Sequence, residues 1–306
     1  MPRRAGWVSA PRCWVGDGPD AGGDGKMTPV AETDGGAKAE TRRGRHHSPP
    51  LAIVTAEPVV RPGVVEATLA GAGLLSIAGY AGRTYVVLAV VFAGFILAWG
   101  WAELVGSTNP RGSAVVLGFG SLGLAASVMV VDDSPALRLM PVALAACFVA
   151  IFVMQLVRTD DRAHLTRCVA GDALGVTLIA SAMSLAPLAD LRRFDLPVGM
   201  TAAALAIGAL PDLLLNFPRV RRWLLPLAMG LGAVAAVAVG WFGAPGTPLG
   251  VAALIGVLAA GCSHAMRRVL AALLTSDSPR AALTIGVAGL AIPGFAVYTV
   301  GTLLLG

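Results

Sequence analysis

From residue 63 onward the chain alternates apolar stretches with short polar loops, and this alternation sets the class of fold. A helix needs about 20 predominantly apolar residues to cross the hydrocarbon core of a bilayer, and backbone in that core must satisfy its own hydrogen bonds. The stretches fall near 63–82, 84–106, 113–131, 139–157, 168–187, 197–215, 224–241, 248–265 and 283–305. They predict an all-α, polytopic transmembrane helical bundle of nine spans. The first stretch is rich in Gly and Ala and carries Glu66, so eight spans is the alternative. The eighth stretch is short, and Pro293 is expected to kink the ninth.

Composition agrees. Hydrophobic residues make up 56% of the chain and charged residues 13%, against about 25% charged in a soluble domain. Such a chain takes the lipid bilayer as its solvent. Residues 1–62 differ: rich in Gly, Pro, Asp and Arg, and without apolar periodicity, they read as a disordered tail. No apolar h-region follows the opening arginines, so no signal peptide is expected. Met27 opens a more ordinary start, "MTPVAETDGG", which makes 1–26 a candidate untranslated extension. The run "RRGRHHSPP" reads as a solvated basic tail beside a membrane rather than a nucleic-acid or metal patch.

The cationic residues orient the bundle. With nine spans and the tail inside, 19 of the 23 Lys and Arg fall on the tail's side. Only Arg83, Arg138, Arg192 and Arg193 fall on the other. This obeys the positive-inside rule and puts the tail in the cytoplasm; the eight-span alternative puts the tail outside and orients residues 84–306 the same way. The same rule explains the net charge of +5 without invoking nucleic acid. Trp223 and Trp241 bracket the seventh span as interfacial anchors would; Trp99 and Trp101 fall toward the inner end of the second.

Motifs of soluble enzymes do not survive this context. "GFGSLG" (Gly118 to Gly123) matches a dinucleotide fingerprint, but that motif needs a strand–turn–helix unit and here lies within an apolar span. Close helix packing is the better reading for it, as for "GDALG" (Gly171 to Gly175). "GCSHA" (261–265) sets Ser263 beside His264, yet adjacent helical residues point about 100° apart, so they do not form a nucleophile–base pair. No catalytic residue is assigned. The four cysteines, Cys13, Cys147, Cys168 and Cys262, are too scattered for a zinc site or disulfide framework, and no cofactor or metal site is expected.

What remains is placement. The ionisable or amide residues within spans or at their edges are Glu66, Glu103, Gln155, Asp172, Asp212, Asn216 and His264. The topology puts all seven toward the cytoplasmic ends. They either anchor helix ends, pairing with Arg219, Arg221, Arg222, Arg267 or Arg268, or line a cytoplasm-facing polar vestibule. Asp212 is the best vestibule member, because Pro211 beside it opens the helix ladder.

The stretches "LAWGWAELVGSTNPRGSAVVLGFGS" (97–121) and "FVMQLVRTDDRAHLTRCVAG" (152–171) resemble uncharacterised multi-span membrane proteins of high-GC actinobacteria. The resemblance implies a bacterial cell-membrane protein and brings no functional residue with it. The functional expectation is a permease-like or transport-associated protein with an unspecified small-molecule or ion substrate. The alternatives are a non-catalytic subunit with membrane-protein partners and an enzyme on lipid-linked substrates.

Overall fold

The computed structural model describes residues 62–305 apart from 108, 132–135, 158–164, 191–195, 244–246 and 274–277. Residues 1–61 of the predicted tail, with Met27 and "RRGRHHSPP", lie outside them, as do Arg192 and Arg193; Pro62 begins the first helix. Every regular element among the described residues is helical. They run α1 (Pro62–Ala81), α2 (Arg83–Val105), α3 (Pro110–Met129), α4 (Met140–Val157), α5 (Leu165–Met183), α6 (Leu196–Ala209), α7 (Leu224–Gly243), α8 (Leu249–Leu273), α9 (Pro279–Ala291) and α10 (Gly294–Leu304). Short 3-10 turns follow α5 and α6 and precede α7. Counted with their turns, and with α9 and α10 taken together, these make nine segments long and apolar enough to cross a bilayer.

The first span is present, which favours nine over eight. The eighth differs from expectation. It is a 25-residue helix ending at Leu273, so Arg267 and Arg268 lie inside it rather than in a loop. The apolar run ends at Ala265 and Met266, but the buried stripe does not. Ile255, Ala259, Ser263, His264, Arg267 and Leu270 keep one helical face turned inward.

Small residues set the helix spacing. A Cβ on Gly256 of α8 would meet the Gly232 carbonyl carbon of α7 at 2.7 Å, and one on Gly208 of α6 would meet Ala260 Cβ at 2.6 Å. Backbone thus touches backbone where α6, α7 and α8 cross, as lipid-solvated helices require when dispersion rather than water drives their association. α1 packs between α6 and α9: Gly79 lies against Val198, and Gly286 against Ala67. "GDALG" behaves as read, with Gly171 against Val105 and Gly175 against Leu117 and Trp101. In "GFGSLG", Gly118 faces Phe95 and Gly120 faces Cys147, while a Cβ on Gly123 would meet nothing within 4 Å.

Two aromatics expected near the inner interface separate. Trp99 is exposed and carries the Arg280 guanidinium over its ring at 4.5 Å. Trp101 is fully buried and donates from Nε1 to the Gly171 carbonyl at 2.9 Å, so it packs inside the bundle rather than anchoring an interface. It turns inward because Gly175 leaves room for an indole: a Cβ there would stand 3.0 Å from Trp101 Nε1.

Pro293 breaks the last span outright. α9 ends at Ala291 and α10 starts at Gly294. Ser181 of α5 repairs the break: its hydroxyl donates to the Ile292 carbonyl at 2.8 Å and accepts from the Phe295 N–H at 3.1 Å. Gly294 makes this approach feasible, since any Cβ there would collide with the Ser181 carbonyl.

Gly256→Ala is expected to destabilise the protein by about 1–3 kcal/mol through overpacking against backbone. Gly230→Ala on α7, where a Cβ meets nothing, is expected to be neutral or slightly stabilising. Thermal unfolding of both variants in detergent micelles checks the contrast.

Candidate functional site

The seven polar residues divide three ways. Glu66, Glu103 and Asn216 are exposed. Asp212 and His264 meet in one buried cluster, and Asp172 and Gln155 in another.

The first cluster forms where α6 fails. Pro211 has no N–H for the Ile207 carbonyl, and the chain tightens into a 3-10 turn, Leu210–Leu214. That turn carries Asp212 against α8. Arg267 donates from Nε to Asp212 Oδ2 at 2.8 Å, and His264 Nδ1 lies 2.7 Å from Oδ1. These last two atoms have no other hydrogen-bond partner. The remaining Arg267 donors reach Ser263 Oγ and, at 3.4 Å, the Gly208 carbonyl. In the tighter register that carbonyl would look to residue 211, which as proline has nothing to donate. Ser263 and Arg267 share a face as an i, i+4 pair. Thus Ser263 serves the arginine and not His264, as the sequence reading required.

The cluster is closed. The side chains of Asp212, His264 and Arg267 are 8%, 5% and 3% exposed. α9 seals it through Gly289, where a Cβ would stand 2.8 Å from Arg267 Cγ. Asp212 and Arg267 cancel in charge, so the cluster is neutral with neutral His264 and carries one positive charge with protonated His264. Of the five arginines proposed as partners, Arg267 alone is paired with Asp212 among the described residues. Its role was legible in the stripe of α8 but hidden by ending the span at residue 265.

In the second cluster the Asp172 carboxylate of α5 is within hydrogen-bonding reach of the Ser113 hydroxyl on α3 and the Gln155 amide on α4. All three residues are buried. Ser113 was missed because a lone serine in a glycine-rich helix start gives no signal by itself.

At the opposite end Arg83 ties three elements. It donates to the Val128 carbonyl and, at 2.6 Å, to the Val131 carbonyl at the end of α3, and pairs with Asp190 at 3.1 Å. These bonds cap a helix C-terminus. A cavity of about 220 Å³ between α1, α2 and α9 is lined by apolar residues such as Leu74, Phe92 and Leu290, and holds none of the seven.

No family model matches the chain, and no curated protein and no solved structure matches it either.

Removing one member of a buried ion pair strands the other, at about 3–5 kcal/mol. Asp212→Leu is therefore expected to be strongly destabilising, and Asp212→Leu with Arg267→Leu less so than the first change alone. Thermal unfolding across this double-mutant cycle reads the coupling.

Proposed function

We propose that this integral membrane protein is permease-like. In this reading it moves a small solute or ion, and the cytoplasmic-end cluster around Asp212 forms the closed gate of a polar vestibule. One observation carries the reading: a buried Asp212–Arg267–His264 cluster sits at a helix break inside an apolar bundle. Ionisable residues within spans mark pathways and relays far more often than scaffold, and broken helices are where transporters hold their cargo. A buried ion pair is also weak as a stabiliser, since apolar replacements are often as stable. The positive-inside bias supports a cell membrane, with the tail in the cytoplasm, and the actinobacterial resemblance fits that setting.

A specific feature favours the second reading, a membrane subunit. α4 buries only Met140, Cys147, Ile151 and Gln155 of its 18 residues and turns a broad apolar face outward, a surface that lipid or a partner helix can cover. The enzyme reading gains less. An acid and an arginine do converge at the inner end, but they satisfy each other and leave no free face for a lipid head group.

Reconstituted into liposomes on a solid-supported electrode, the wild-type chain is expected to give solute-triggered currents for one class in a panel of cations, amino acids and sugars. A folded Asp212→Asn variant is expected to lose them. Silence to the whole panel, with a stoichiometric membrane protein co-purifying, would instead favour the subunit.

A further inference from the structure

The two buried carboxylates are not equivalent. Asp212 has its arginine. Asp172, 4% exposed, has none: among the described residues no arginine or histidine pairs with it. Among the described residues its hydrogen-bond partners are a hydroxyl and an amide, both neutral. Ser113 comes from α3 and Gln155 from α4. Ser107 Oγ, at the α2–α3 connection, lies 3.2 Å from Ser113 Oγ. The charged and titratable residues on the surrounding elements turn elsewhere. Glu103 of α2, Arg111 of α3 and Arg167 of α5 are exposed, and Arg280 of α9 covers Trp99. Cys147 of α4 lies against Gly120, and Cys168 of α5 is within reach of the Ser107 hydroxyl at 3.8 Å.

An isolated carboxylate in such surroundings is neutralised or finds a cation, because burying the bare charge is too costly. The first turn of α3 supplies at most about half a positive charge, so among the described residues a full compensating charge is wanting. Asp172 lies seven residues into α5, about 10 Å along the axis from its cytoplasmic end. The half-buried Ser107 belongs to the α2–α3 connection, so its hydroxyl and that of Ser113 lie in sequence toward the carboxylate.

We propose that Asp172, Ser113 and Gln155 form a binding site for a small monovalent cation, a proton or Na+. Carboxylate, hydroxyl and amide oxygens are the hard donors that such a cation takes, and no soft or imidazole donor is needed. The site gives the permease reading a seat for a coupling ion. Binding is nonetheless measured at equilibrium without flux, so a negative result here leaves the flux assay standing, and the reverse.

Two readouts on the full chain in detergent separate the two forms. Thermal unfolding with NaCl replacing choline chloride at fixed ionic strength reads sodium. The infrared carbonyl band of a buried protonated carboxyl at neutral pH reads the proton. Wild type is expected to give a saturable Na+-dependent rise in Tm or the carboxyl band. Asp172→Asn loses that response and Glu103→Gln keeps it. Should Asp172→Asn fail to fold, Ser113→Ala retains the acid and removes one hydrogen bond. It is then expected to raise the half-saturating Na+ about tenfold or to shift the band. A folded wild type with neither response overturns the site. So does a response that survives Asp172→Asn, or one that Ser113→Ala leaves unmoved.

Discussion

A helix that breaks inside hydrocarbon must have its freed backbone groups satisfied by a neighbour, since no water is there to do it. Two spans break at prolines, and each is repaired from a different helix. Ser181 of α5 reaches both sides of the gap between α9 and α10. Arg267 of α8 reaches the Gly208 carbonyl where α6 ends, and holds Asp212 in the turn that follows. Glycines make both repairs feasible: Gly294 admits the Ser181 backbone, and Gly289 admits the Arg267 stem. The repairs therefore depend on how closely α5, α8 and α9 approach, and a loss of packing at those glycines would expose unpaired polar groups.

The repairs differ in kind. The one at Pro293 is neutral, a single hydroxyl between a carbonyl and an N–H, and needs nothing further. The one at Pro211 brings a full ion pair and a histidine into a space that apolar side chains could fill. That excess of charge over structural need sets the paired ends of α6 and α8 apart from the rest of this apolar bundle. Asp172, in α5, adds a second buried acid, without a counterion among the described residues.

Much of this was legible in the sequence. Span positions follow from apolar run length, and the nine segments match the nine predicted within a few residues except at the end of α8. Pro211 and Pro293 announced both breaks, and the placement of Asp212 near the end of its span followed from its distance to the 216–223 loop. What escaped was pairing across helices. Arg267 looked like a loop residue because hydropathy falls at that point, while the inward stripe through Ser263, His264 and Leu270 continues. Ser113 and Ser181 are single hydroxyls in apolar helices, and only the neighbours that three-dimensional packing brings to them reveal their use. The inward turn of Trp101 likewise depends on a glycine, Gly175, from a helix distant in sequence.

The most direct measurement is the accessibility of position 212. In a background with Cys13, Cys147, Cys168 and Cys262 replaced, Asp212→Cys is treated with a membrane-impermeant maleimide in inside-out and right-side-out vesicles. Labelling from the cytoplasmic face alone, slower than at exposed Asn216→Cys, is the result expected of a closed gate that opens to the cytoplasm. Protection from both faces in a variant that inserts and folds would contradict it and leave Asp212 a packed structural acid.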